Sequence, residues 1–320
     1  MIISASRRTD IPAYYPDWFM NRIREGEMLV PNTFNENHLS RVFLNPQNVE
    51  CIVFWTKNPQ PMLARLSELD EAGYSYYFQY TLTGFGREIE RYLPEQKKRI
   101  ETFQRLSEKL GALRVDWRFD PIMLSSRYDE NWMAEEFEKL CVELSPYTRR
   151  CVISFIDYYK RRDFSFRELT KDEMHRVAER LSGIADKYHL PLCTCAEKIN
   201  LSQYGIAHGA CIDQHKIEQI IGCKVDIKKD RMQRDDCGCM ESIDVGMYDT
   251  CMNGCTYCYA NTSMETTKER YRRHDPDSPM LIGRPTGRET ITVRNMRSAR
   301  MPQMSLFDYL DMKEEQHRNE

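Results

Sequence analysis

The residues of this chain best placed to do chemistry are its cysteines. Nine of the twelve lie between positions 193 and 258, a density that marks metal binding. The tightest group is Cys251-Met-Asn-Gly-Cys255-Thr-Tyr-Cys258, with Gly254 inside to permit a sharp turn. Three thiolates on so short a loop can ligate three corners of a 4Fe-4S cube and leave the fourth iron open to a small molecule. An open coordination position characterises catalytic metal sites, by the reasoning that applies to zinc. The same thiols would also serve a zinc site. A second set follows from Cys193-Thr-Cys195, Cys211 and Cys237-Gly-Cys239. Two thiolates one residue apart can chelate one metal or neighbouring irons. Cys195, Cys211, Cys237 and Cys239 make a full set of four, suited either to an auxiliary iron-sulfur cluster or to structural zinc.

Thiols of this kind must stay reduced, which fits a cytoplasmic chain. The N-terminal Met-Ile-Ile-Ser-Ala-Ser-Arg-Arg has no long apolar region of a secretion signal. No apolar run approaches the roughly 20 residues that span a bilayer. Lys plus Arg number 46 against 49 Asp plus Glu, a net charge of -3, so any nucleic-acid contact must be local rather than global.

The elements that must position these cysteines read as six βα units before residue 222. Strands are expected at 1–6, 50–56, 75–82, 113–119, 150–156 and 190–195, all short and apolar. Helices are expected between them, for example over 61–72, over 95–110 with Gly111 as its stop, and from the capping box Thr170/Glu173 to about Tyr188. Alternation of this kind implies a parallel α/β sheet with right-handed crossovers. Polar residues follow every strand, among them Asp10, Lys57, Thr81, Thr83, Arg118, Asp120 and Asp157-Tyr158-Tyr159. Turn formers and helix caps account for some of these, but six polar strand ends on one face describe the active-site end of a βα barrel. The expected organisation is a (β/α)6-7 partial TIM-type barrel over 1–222, a cysteine-rich segment over 223–262 that completes it, and a basic, extended arm over 263–320.

The CxxxCxxC spacing and the run Cys255-Thr-Tyr-Cys258-Tyr-Ala-Asn resemble the radical S-adenosylmethionine (SAM) enzymes. In that family the motif follows the first barrel strand, whereas here it follows the sixth βα unit. A circular permutation reconciles the two, with 243–248 as the cluster-bearing strand beside 1–6. Thr56-Lys57-Asn58, Thr81-Leu82-Thr83 and Pro121-Ile122 resemble the strand ends of spore photoproduct lyase and its relatives. Over nearly all of 1–262 the chain resembles an uncharacterised bacterial family, a domain of unknown function with a cysteine-rich C-terminal third.

These resemblances imply a 4Fe-4S cluster on Cys251, Cys255 and Cys258, SAM at the open iron, and an external electron donor. They imply that Tyr257 contacts SAM and that Asp10 receives its ammonium in place of the family's Gly-Gly-Glu. Thr81 and Thr83 are assigned to SAM, and Lys57, Arg118 and Asp120 to catalysis or substrate. Reductive cleavage of SAM to a 5′-deoxyadenosyl radical is the implied reaction, with damaged DNA as one substrate class. The alternative is a zinc- or cluster-stabilised nucleic-acid-binding module without SAM chemistry. Residues 265–302 carry nine Lys or Arg against five Asp or Glu. After them, Gln303, Leu306 and Phe307 resemble the peptide by which bacterial replication and repair proteins dock on the DNA sliding clamp, a mode that needs an extended arm; the alternative is that Leu306, Phe307 and Leu310 pack back on the barrel as a short amphipathic turn.

Overall fold

A computed structural model describes residues 1–157 and 166–301. Tyr158, Tyr159 and the Gln303, Leu306 and Phe307 of the clamp-like motif lie outside the described residues. The strands are β1 (Ile2–Ala5), β2 (Glu27–Pro31), β3 (His38–Phe43), β4 (Cys51–Thr56), β5 (Tyr76–Thr81), β6 (Val115–Ile122), β7 (Cys151–Phe155), β8 (Leu192–Cys195), β9 (Ala207–Gly209), β10 (Ile243–Asp244) and β11 (Thr290–Val293). The helices are α1 (Ile11–Tyr14), α2 (Pro16–Glu25), α3 (Leu66–Glu71), α4 (Gln96–Leu110), α5 (Glu130–Leu144), α6 (Lys171–Lys187), α7 (Gln214–Ile221) and α8 (Met264–Arg272). All six expected strands form, and α6 opens on its capping box, with Thr170 N donating to Glu173 at 2.8 Å.

Eight strands make one parallel sheet in the order β10-β1-β4-β5-β6-β7-β8-β9. The short strand β10 stands beside β1, pairing Ile3 with Ile243 and Ser4 with Asp244; of the strand expected over 243–248 beside 1–6, these two residues form it. Laid flat, the six steps from β10 to β8 at about 4.8 Å each would separate their ends by about 29 Å. The ends of both instead line one cavity, so the sheet curls, consistent with a partial barrel. Among the described residues no pairing joins β9 to β10, and the curl stays open there.

Alternation along the strands sorts two layers. Ile3, Ile52, Phe54, Phe78, Trp117 and Ile153 point outward into the main core beneath the helices. Ile2, Cys51, Val53, Tyr77, Val152 and Cys193 point inward. The inner floor is polar and buried: the Asp116 carboxylate accepts from Gln79 (2.7 Å), Arg150 (2.8 Å) and Lys216 (2.5 Å). This carboxylate ties α7 across the bottom of the barrel. Burial alone would raise its pKa, but Lys216 and Arg150 outweigh burial and hold it below the ordinary 3.8. A depressed acid stabilises the fold above its unfolded pKa and loses that contribution as pH falls through the folded value. The stability gap between the wild type and Asp116→Asn, measured by urea unfolding, is therefore expected to be full at neutral pH. It should shrink only below about pH 3.8.

Two features depart from simple βα alternation. The first unit contains the antiparallel hairpin β2–β3, to which β11 adds a parallel strand. The Asn-rich turn between two short alternating runs, where Asn32 Oδ1 accepts from the Phe34 amide at 2.9 Å, is a hairpin signal. The second departure corrects the expected extended arm. Ser263 caps α8 through the Thr266 amide at 3.0 Å, Thr267, Leu281 and Ile282 are buried, and Tyr271 packs edge-on to Tyr15 at 5.8 Å. Residues 263–301 fold onto the body because aromatic contacts and strand pairing outweigh their basic, Pro-punctuated composition. Among the described residues no helix is long and apolar enough to cross a membrane.

Candidate functional site

The CxxxCxxC loop leaves β10 at the C-terminal ends of the parallel strands. Its shape is held by side chains rather than regular structure. Asp249 accepts from the Thr262 hydroxyl at 2.8 Å, Asn261 donates to the Cys251 carbonyl at 2.6 Å, and Tyr15 donates to the Thr250 carbonyl at 2.6 Å. Gly254 has φ +64°, and a Cβ there would stand 2.5 Å from the Tyr92 ring. Both the backbone conformation and the close packing require glycine. Cys251 and Cys255 are buried and Cys258 half-buried.

A strap from the segment after β5 clamps this loop. Thr256 N donates to the Ile89 carbonyl at 2.9 Å and Tyr92 N to the Asn253 carbonyl at 3.1 Å. The buried Glu90 carboxylate accepts from Lys57 (2.7 Å), Tyr257 (2.6 Å) and Arg99 (3.0 Å). Burial would raise the Glu90 pKa, but the two cations outweigh it and hold the group ionised, below its usual range. Sequence reasoning missed Glu90, since no spacing connects it to a cysteine loop so distant along the chain.

One cavity of about 560 Å³ lies between this loop and the second cysteine group, within the usual range for small-molecule sites. Its walls include Cys251, Cys255, Tyr257 and Cys258 on one side and Cys195, Cys211, Cys237 and Cys239 on the other. The sulfur atoms of Cys195, Cys211 and Cys239 all lie within 4.8 Å of one another, and this buried group could hold a metal or cluster. Cys195 Sγ and Cys211 Sγ stand 2.8 Å apart. Cys195 ends β8, Cys211 follows β9, and Cys239 precedes β10, so folding gathers three distant segments.

Each of the other assigned residues has a definite place. Lys57, Thr81, Arg118, Asp120 and Asp10 line the cavity, whereas Thr83 is buried away from it. The Thr83 assignment is corrected accordingly: β5 ends at Thr81, and two residues further on the chain has left the strand and carries Thr83 into a buried position outside the cavity lining. Arg118 belongs to the second cysteine group, donating to Cys211 Sγ at 2.6 Å and pairing with Asp120. Asp10 does not stand ready for an ammonium. Its carboxylate already accepts from the amides of Ala13 (3.1 Å) and Lys57 (2.7 Å) and from the Asn253 side chain (3.0 Å). Burial raises its pKa, opposed by those hydrogen bonds. Asp10 is thus the tie between the β1 and β4 loops and the cysteine loop. Arg7, passed over at the sequence level, lies on the cavity wall over the Trp55 ring at 4.8 Å. Its Nη2 is buried with no hydrogen-bond partner among the described residues.

Among curated proteins none matches this chain. A crystal structure of a Bacteroides thetaiotaomicron VPI-5482 protein, provisionally described as an alpha-L-fucosidase, is 10% identical over 72% of this chain and 86% of its own. Its TM-score of 0.26 gives that likeness no bearing on fold or activity. The profile of a domain of unknown function, DUF1848, matches residues 2–260, and the chain belongs to that family.

Proposed function

We propose that this chain is a radical-SAM-type iron-sulfur enzyme on a permuted partial barrel, with the catalytic cluster on Cys251, Cys255 and Cys258. The observation that carries the reading is the disposition of the two cysteine groups around one cavity. Cys195, Cys211 and Cys239 converge on a point, and among the described residues no other such convergence exists. The CxxxCxxC thiols face the same cavity without converging, as suits ligands to separate irons of a cube rather than to one ion. Cys251, Cys255 and Cys258 would hold the cluster, which when reduced would supply the one-electron chemistry for cleaving SAM to methionine and a 5′-deoxyadenosyl radical. The protein supplies position and exclusion of water.

The chain's own residues support each of those tasks. Asn253, held by Asp10 and by the Tyr14 hydroxyl at 2.9 Å, fixes the loop between Cys251 and Cys255. Tyr257 is held against the cavity wall by Glu90, with Lys57 at 5.4 Å over its ring. The unpartnered Arg7 donor suits a carboxylate or other anionic group of a bound molecule, since a buried donor left unmet is costly. Thr81 remains a cavity-facing hydroxyl for SAM or substrate. Electrons enter from an external one-electron donor, and damaged DNA is the first substrate class to try.

The test is anaerobic iron-sulfur reconstitution, dithionite reduction and addition of SAM, with chromatographic detection of 5′-deoxyadenosine. Release in proportion to cluster content is the expected result. A chain loaded with cluster that binds SAM yet releases none, with or without lesion-bearing oligonucleotides, overturns the reading.

A further inference from the structure

We propose that Cys195, Cys211, Cys237 and Cys239 form a closed, single-ion thiolate centre of the zinc type, distinct in kind from the site on Cys251, Cys255 and Cys258. The geometry points to one ion. Four sulfurs around a zinc at about 2.3 Å stand about 3.8 Å apart, and the sulfurs of Cys195, Cys211 and Cys239 lie within 4.8 Å of one another. Ligands of a cube each hold a different corner iron, and their sulfurs stand further apart than ligands sharing one ion. Cys237, outside that convergent trio, is the nearest candidate for the fourth thiol: it is buried two residues before Cys239, lines the same cavity, and is set by its own amide donating to the Arg234 carbonyl at 2.8 Å.

The surroundings fit a charged centre. A divalent ion with four thiolates carries a net charge of minus two, and two guanidiniums face it. Arg118 donates to Cys211 Sγ at 2.6 Å, and Arg7 reaches Cys239 from the cavity side. The Ile212 amide adds a donor to Cys239 Sγ at 3.4 Å. Hydrogen bonds of this kind orient and stabilise thiolate ligands. Gly238, between the last two cysteines, lies against the Gly209 carbonyl, where an added Cβ would stand 3.2 Å away. That close approach brings the loop before β10 onto β9.

The centre's position gives it a role. It staples the open side of the sheet, where β8, β9 and the approach to β10 meet without direct β9–β10 pairing among the described residues. Binding to residues gathered from three segments contributes to folding directly. The ion forms the wall opposite the CxxxCxxC loop and takes no part in electron transfer, since zinc has no redox chemistry.

Metal analysis of the full chain tests this independently of SAM cleavage. Protein made in zinc-supplemented medium and purified in air is expected to carry one zinc per chain after any oxygen-sensitive iron is gone. Exchange with cobalt(II) should give the intense visible bands of a tetrahedral thiolate site. Cys211→Ser should lose that zinc, while Cys255→Ala should keep it. Should Cys211→Ser fail to fold, the wild-type zinc content and cobalt spectrum still decide. A second complement of iron and sulfide in place of zinc overturns the proposal. So does a Cys195–Cys211 disulfide found by mass spectrometry, or zinc that persists in Cys211→Ser and Cys239→Ser alike.

Discussion

Cys255→Ala is expected to reduce 5′-deoxyadenosine release to the uncatalysed background while the chain stays folded. Cys255 sits in the middle of the CxxxCxxC loop, and removing its thiol leaves the proposed cluster two ligands on that loop. The loop itself does not depend on that sulfur. Its path is held by Asn253 on Asp10, Asn261 on the Cys251 carbonyl, and the Thr256 amide on the Ile89 carbonyl. The substitution should therefore cost about 1 kcal/mol of stability, the usual size for a point change. Iron content, thermal melting by circular dichroism and chromatographic product analysis separate the two effects. Turnover equal to wild type would dispose of the cluster assignment, whereas global unfolding would show that the thiol carries structure that the loop bonds do not.

Glu90→Ala is expected to give the largest loss of stability. Lys57 and Arg99 would both remain near a site that has lost the carboxylate they share, and the Arg99 side chain is 3% exposed. Removing one partner of a buried pair costs about 3–5 kcal/mol, because the remaining charge is buried and uncompensated. The measurement is urea unfolding at neutral pH. A second variant, Glu90→Leu with Arg99→Met, removes one stranded charge along with its partner and should recover much of the loss, since apolar replacement of a buried ion pair is often close to neutral. Both variants free the Tyr257 hydroxyl, so both should reconstitute with less iron than wild type even where stability returns. A loss below about 1 kcal/mol for Glu90→Ala would mean that solvent reaches the pair and that the strap contributes little.

The regular part of this architecture could be read from the sequence because its signals are local. Short apolar strands, Gly111 after α4 and the Thr170/Glu173 capping box each declare themselves within a few residues. The CxxxCxxC loop is equally local, whereas the placement of its strand beside β1 came from the permutation that the family resemblance implied. What escaped were the long-range choices. Glu90 and Tyr257 are 167 positions apart, and no periodicity links them. Asp10 looked like a free acid because its role as a tie exists only when three loops meet. Thr83 was grouped with Thr81 because residues two apart in a strand share a face, but β5 stops at Thr81 and the pattern does not extend past it. The arm from 263 to 301 read as extended because its composition is basic and Pro-rich, yet Tyr15 and β3 provide surfaces that composition does not record.

The placement of β10 at the end of the chain's path has a consequence for biosynthesis. Lys57, Glu90 and the floor residue Asp116 leave the ribosome long before Cys255, and 198 residues separate Lys57 from that cysteine. At about 5–20 residues per second, that interval is about 10–40 s. Six parallel strands and their covering helices can therefore assemble while both cysteine groups are still incomplete. The nascent molecule would meet metal only after the receiving cavity already stood, so metal insertion would finish the protein rather than start it. In cells starved of iron or zinc, this order leaves a largely built barrel with an unfinished edge, a species whose turnover by proteases would track metal supply.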